Sequence, residues 1–331
     1  MNQPLLLIFP LVVFLVAMHG TRFLIAHLTV RDIVDLPNAR SSHSEPVPHG
    51  GGIAIMAGVV PALAVLGLIV GEPMLGLVAA GAALLAVISW VDDLRGLGPL
   101  VRIAVQAAAV AAVLILVPLP GPVFGGWLPP TVDLIVAGLI WVWFINLYNF
   151  MDGIDGLAAV QTLTVGVGAF VIARKLGFGD SMMILSLMLA AGALGFVRFN
   201  WHPAKIFMGD VGSVPLGFLL GWLLLMLAAK GAWAEALILP LYFLADATWT
   251  LARRALRGQR VWQAHREHFY QRAVDSGLRH DQVVGIVGIA NIFLIMLALV
   301  ATRGLPGAAL LGGCGAVALL LFLLAKGGPT E

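Results

Sequence analysis

Long apolar runs separated by short polar punctuation set the pattern of this chain. With Gly, Pro and charge taken as boundaries, eleven runs emerge, near 5–28, 51–70, 74–91, 101–118, 132–148, 157–173, 181–197, 214–229, 235–252, 283–301 and 305–325. Each approaches the roughly 20 residues that carry a helix across a hydrocarbon core. In lipid a segment must satisfy its own backbone amides, and runs this continuously apolar suit helices rather than the alternating strands of a barrel. The pattern predicts an all-α polytopic membrane protein, a bundle of 10 to 11 transmembrane helices forming one domain over residues 1–331. Polar loops on one face are expected near 29–50, 92–100, 149–156, 198–213 and 253–282. The first run, Leu5 to about Ala26, lacks a basic stretch before it and continues to Arg31 and Asp32, so it is expected to persist as a first span.

Composition agrees: 60% of residues are hydrophobic and 11% charged, against about 25% charged in soluble domains, and mean hydropathy is +1.00. Too little charge remains to cover a water-facing surface. The net charge of +2 offers no basic face for nucleic acid. Charge placement carries more. Loops after odd-numbered runs hold Arg31, Arg40, Arg95, Arg102, Arg198, Lys205, the seven arginines from Arg253 to Arg279, and Lys326; loops after even-numbered runs hold Arg174, Lys175, Lys230 and Arg303. The positive-inside rule puts the odd loops in the cytoplasm, the N-terminus outside and the C-terminus inside. Cys314, the single cysteine, has no disulfide partner within the chain and reads as a small buried hydrophobe.

Nearly all chemically capable residues fall in the same odd loops. Trp90-Val91-Asp92-Asp93-Leu94-Arg95-Gly96 closes the third run. A carboxylate at a helix centre costs roughly 2.5–3.5 kcal/mol on insertion scales, so this pair belongs at an interface or in a wet cavity. Adjacent carboxylates suit a divalent cation or a base, while the plainer reading is a charged helix end. Asn146-Leu147-Tyr148-Asn149-Phe150-Met151-Asp152-Gly153-Ile154-Asp155-Gly156 packs carboxamides, carboxylates and glycines between two apolar runs. One aspartate there would serve as a helix cap; the whole set suits Mg²⁺ and a diphosphate.

Asn200 to Ser213 places Asp210 between glycines at a helix start, beside Lys205. A cap and a cation contact are both open for Asp210, and Lys205 either meets phosphate or snorkels. In the largest loop, His265 and His268 share a face if helical, with Arg266 adding anion affinity; two histidines alone make no zinc site. Arg253, Arg254, Arg257 and Arg260 read as a membrane-surface anchor, and Asp246, inside the ninth run, as support for a nearby site.

These motifs in this order resemble the polyprenyl-phosphate N-acetylhexosamine-1-phosphate transferases, a family related to phospho-N-acetylmuramoyl-pentapeptide transferase. The likeness covers nearly the whole chain. It runs through Asp35-Leu36-Pro37-Asn38-Ala39-Arg40 with His43, then His49-Gly50-Gly51-Gly52, Val91-Asp92-Asp93, Asn149 to Gly156, Phe207 to Ser213, and His265 with His268. The resemblance implies transfer of a sugar 1-phosphate from a UDP-N-acetylhexosamine to undecaprenyl phosphate at the cytoplasmic face of the bacterial inner membrane. UMP would be released, with Mg²⁺ or its substitute Mn²⁺ required. It implies Asp92 as base or phosphate-orienting group with Asp93 as partner, Asn149 and Asp210 as Mg²⁺ contacts, and His265 and His268 at the diphosphate. Asp152 and Asp155 would shape the nucleotide site. Arg40, His43, Asn146, Arg102, Lys205 and Arg266 are the remaining candidate substrate contacts.

Two departures stand out. Where many relatives carry lysine after the paired aspartates, this chain offers Arg95 and Arg102. His268 is followed by Phe269 rather than by another histidine, which favours the branch that initiates O-antigen and similar glycans over the pentapeptide branch. An ion-coupled transporter and an intramembrane aspartyl protease also combine helices with acids. The first, however, centres its site at the membrane midplane between repeats, and none is evident here. Which hexosamine is used is not legible in any motif, and a homodimer through an apolar helix face is compatible with the pattern.

Overall fold

A computed structural model describes residues 6–31, 33–35, 46–261 and 265–326. Thirteen helices form among them, with one short antiparallel pair, β1 (Val34–Asp35) and β2 (Val47–Pro48). Ten helices are long and apolar enough to cross a membrane. They are α1 (Ile8–Val30), α2 (Gly52–Val70), α3 (Leu75–Arg95), α4 (Pro99–Leu116), α5 (Pro130–Phe150), α6 (Leu157–Lys175), α7 (Asp180–Asn200), α8 (Asp210–Ala229), α12 (His280–Ala301) and α13 (Pro306–Lys326). The expected ninth span differs. It is broken into α9 (Trp233–Ile238) and the amphipathic α10 (Leu241–Leu256), followed by the short α11 (Phe269–Asp275). Pro240 sits at the break, where it has no N–H to continue the helical ladder.

α8 is the axis of the bundle. Of its twenty residues only Asp210 and Met226 are not buried, and it packs against α2, α3, α5 and α6. Small residues permit this. A Cβ on Gly52 would collide with the Gly212 backbone, and one on Gly217 would come within 3.1 Å of Ile145 Cα. In a membrane such close backbone approach takes the place of the hydrophobic drive between helices. It sets the first turn of α8 beside the start of α2 and the last turn of α5.

The helix ends then sort onto two faces. α3, α5 and α7 end, and α4, α6, α8 and α12 begin, on one face; His280 at the start of α12 meets Asp155 after α5, which fixes that end of α12. On the other face Ser181 hydrogen-bonds Glu72 at 3.0 Å, and Asp133 accepts from the amides of Val123 and Phe124. Because α8 leaves the first face and α12 starts from it, α9 and α10 together make the return. Cys314 is exposed on the outer surface of α13, not buried as expected, because only one flank of that helix packs on the bundle.

Candidate active site

The site begins with backbone. Phe207 N donates to Pro48 O at 2.9 Å, Gly51 N to Phe207 O at 2.8 Å, and Gly52 N to Met208 O at 2.9 Å, so the His49-Gly50-Gly51-Gly52 string is knitted to the segment before α8. Gly209 turns with φ of 76°, and a Cβ there would lie 2.8 Å from His49 Nε2 and 3.1 Å from Asp93 Oδ2. Glycine is needed at that position twice, once for the left-handed turn and once for space.

Side chains from four helices meet above this turn. Arg102, on α4, lies with Nε 3.1 Å from Asp92 Oδ2 and Nη2 2.7 Å from Asp210 Oδ2. Asn149 Nδ2 donates to Asp210 Oδ1 at 2.7 Å and to Ser213 Oγ at 2.8 Å. Asp92 is buried and accepts from Leu97 N, whereas Asp93 accepts from Val211 N at 3.2 Å and faces His49 Nε2 at 3.3 Å. Asp210 is therefore not the cap of α8: it is the first helical residue, and its carboxylate reaches sideways to α4 and α5.

Burial disfavours a charged His49, but the hydrogen bond and charge of Asp93, with Asp210 and Asp35 beyond, outweigh it and raise its pKa. Asp152 faces the same charges. Burial drives its pKa well above the ordinary carboxylate value, Asp210, Asp93 and Asp155 push the same way, and His49 opposes them. The cluster thus gathers Asp92, Asp93, Asp210, Asn149, Arg102 and His49, with Asp152 following Asn149 by three residues in the turn after α5. One turn earlier on α5, Asn146 donates to Gln106 at 2.6 Å, and Gln106 lines a small cavity with Asp92 and Arg102.

A second cluster adjoins it. His265 and His268 are not on a helical face, because residues 265–268 precede α11; their rings stack all the same, 4.9 Å apart. Asp246, fully buried on α10, organises this loop. It faces His268 Nδ1 at 3.1 Å and accepts from Phe269 N, Tyr270 N, Tyr242 Oη and Thr250 Oγ1. Tyr270 Oη in turn donates to Phe150 O at 2.9 Å and fills the space left by Gly153, which joins the histidine loop to the end of α5. Gly153 thus makes room for an aromatic ring rather than for phosphate.

Burial, followed by the charges of His268 and Arg254, lowers the His265 pKa to about 4, so this imidazole is neutral at pH 7. A histidine whose folded pKa lies below its ordinary 6.5 takes up protons on unfolding between those values, and stability falls as pH drops through that window. Replacing His265 with Gln should flatten the fall in melting temperature of the detergent-solubilised protein between pH 6.5 and about 4. A wild-type slope unchanged by the substitution would remove His265 from this cluster.

Other expectations fare differently. Asp155 caps no helix; Oδ2 accepts from Ala204 N at 3.2 Å and faces His202 and His280. Arg254 is buried and paired with Glu267, so it pins the histidine loop instead of anchoring the membrane surface. Arg266 pairs with Asp275, at the end of α11, at 2.6 Å. Lys205 is exposed, and among the described residues its ammonium makes no hydrogen bond or ion pair. Arg40 and His43 lie outside the described residues. None of His49, Gln106, Ser213, His202 and His280 is among the candidate site residues of the sequence, although His49 and Ser213 lie within quoted motifs and His202 and His280 in the polar loops of the same face; Gln106 alone, inside an apolar run, carries no signal.

A family model described as glycosyl transferase family 4 matches residues 75–228, from the start of α3 to the end of α8. The chain is 30% identical over 282 residues to a probable undecaprenyl-phosphate N-acetylglucosaminyl 1-phosphate transferase of Bacillus subtilis, covering 81% of this chain and 76% of that one. It is 26% identical over 284 residues to the undecaprenyl-phosphate alpha-N-acetylglucosaminyl 1-phosphate transferase of Escherichia coli, with 81% and 76% covered. It is also 43% identical to a phospho-N-acetylmuramoyl-pentapeptide-transferase of Moorella thermoacetica, but over 101 residues, 30% of each chain. Extended similarity of this kind, together with a bundle whose described residues carry the Asp92-Asp93, Asn149 to Gly156 and Phe207 to Ser213 motifs to one face, makes the chain a member of glycosyl transferase family 4.

Proposed function

We propose that the protein transfers an N-acetylhexosamine 1-phosphate from a UDP-sugar to undecaprenyl phosphate, as the first step of an O-antigen or another cell-surface glycan. A phosphate oxygen of the lipid attacks the sugar-bearing phosphorus, the bond to the other phosphate breaks, and UMP leaves. The observation that carries this reading is the convergence of Asp92, Asp93, Asn149 and Asp210 around Arg102 at the ends of membrane-spanning helices. A lipid phosphate and a nucleotide diphosphate meet at such a boundary. The two relatives that span most of this chain are named as N-acetylglucosaminyl 1-phosphate transferases, so UDP-GlcNAc is the first donor to try.

The donor set suits Mg²⁺: the Asp92, Asp93 and Asp210 carboxylates and the Asn149 carboxamide are hard oxygen ligands, and the cations among them, Arg102 and His49, leave negative charge uncompensated. Asn149 and Asp210 would hold the ion, which when bound neutralises the diphosphate and the charge of the transition state. Asp92, fixed by Arg102 and Leu97 N, is aimed to orient or deprotonate the lipid phosphate, and Asp93 holds His49. Arg102 serves as a mobile countercharge that exchanges its carboxylates for substrate phosphate. The arginine-rich loops on this face favour a cytoplasmic site, which would leave the start of α1 outside and the end of α13 inside.

Purified protein given radiolabelled UDP-GlcNAc, UDP-GalNAc or a 6-deoxy analogue with undecaprenyl phosphate and Mg²⁺ tests this directly. Absence of lipid-linked label and of UMP with every donor would sink the proposal, and activity that survives a chelator would remove the ion. Arg102→Ala should lower the Mg²⁺ concentration needed for half-maximal rate while cutting kcat about 100-fold, because it frees two carboxylates and removes a phosphate contact. An unchanged metal requirement would show that Arg102 does not compete with the ion.

A further inference from the structure

Asp155, His202 and His280 come from three separate places, the turn after α5, the loop after α7 and the first turn of α12. Each offers one donor atom, and the three atoms lie within 4.8 Å of one another. Both imidazoles aim Nδ1 at the same carboxylate oxygen, Oδ2, at 2.6 Å from His202 and 3.2 Å from His280. The rings stand 4.8 Å apart and tilted by 50°, as two ligands converging on one point would. Asp155 and His280 are buried, while His202 is half-buried and leaves one side open to solvent.

The surroundings hold these groups in place. Ala204 N donates to Asp155 Oδ2, Asn200 Oδ1 accepts from Gly156 N at 2.9 Å, and Asn200 Nδ2 donates to Ile206 O at 3.0 Å. Such outer hydrogen bonds orient metal ligands and sustain affinity.

We propose that Asp155, His202 and His280 form a binding site for a zinc-type divalent cation, distinct from the oxygen-rich cluster at Asp92 and Asp210. Two imidazole nitrogens and one carboxylate oxygen suit Zn²⁺, with water as fourth ligand, whereas Mg²⁺ favours an all-oxygen set. The ion cross-links the turn that carries Asp152 to the α7–α8 loop and α12. The proposal stands independently of the transfer reaction, since it rests on ligand geometry alone.

The test uses the full-length chain in detergent, stripped with EDTA and titrated with ZnCl₂ in excess MgCl₂. One Zn²⁺ per chain is expected by elemental analysis, retained in Asp210→Asn and weakened about 100-fold or more in His280→Ala and His202→Ala. Zinc bound equally by the histidine variants, or lost in Asp210→Asn, overturns the site. Should the variants fail to fold, Co²⁺ added to the wild-type protein in excess MgCl₂ decides. The visible d–d bands of a four-coordinate site with nitrogen ligands are expected, and octahedral cobalt or none leaves the three residues as a hydrogen-bonded clasp only.

Discussion

Asp210→Asn should cut UMP release about 1000-fold in a protein that still folds and melts near the wild-type temperature. The substitution keeps shape and one oxygen, so the packing of α8 through Gly212 and Gly217 is untouched. What it removes is charge. The carboxylate holds Arg102 at 2.7 Å and Asn149 at 2.7 Å, and so supplies the anionic oxygen that joins α4 to α5. Asp92→Ala should be as damaging, because Asp92 is the other carboxylate gripped by Arg102. UMP release measured alongside a thermal melt separates chemistry from folding. A variant that keeps a tenth of wild-type activity or more takes that aspartate out of the site.

Asp246→Asn should lower kcat about 100-fold and also lower the melting temperature. Asp246 is fully buried and serves five donors at once, two of them the backbone amides of Phe269 and Tyr270. An amide in its place must point an NH₂ at one of those donors, and each buried donor left unpaired costs about 1–3 kcal/mol. The effect on turnover comes through His268, whose ring Asp246 holds beside His265. Asp246 is a positioning residue, so the loss should fall on kcat with KM for the UDP-sugar little changed. Normal kcat below the melting transition would reduce its role to stability.

The spans, the face that carries the chemistry and the order of the motifs were legible in the sequence, because hydropathy and positive charge act locally and add residue by residue. That is why ten of the eleven expected runs return as helices with ends shifted by a few residues. The ninth run read as a span because its mean hydropathy hides a proline and a buried aspartate, and neither is costly once α10 can place Asp246 against a polar loop.

What the tertiary structure alone decided is which charges meet. Arg102 and Asp210 are 108 residues apart, Asp155 and His280 125, and nothing local links them. They meet because glycines let α2 and α5 close on α8, a consequence of packing distances between backbones that no hydropathy profile contains. Arg254 shows the same point in reverse. Its position among arginines suggested the membrane surface, and only the fold supplies Glu267 to bury it. Transfer free energies belong to single residues and survive in the sequence, whereas pairing energies belong to neighbours that exist only once the chain has folded.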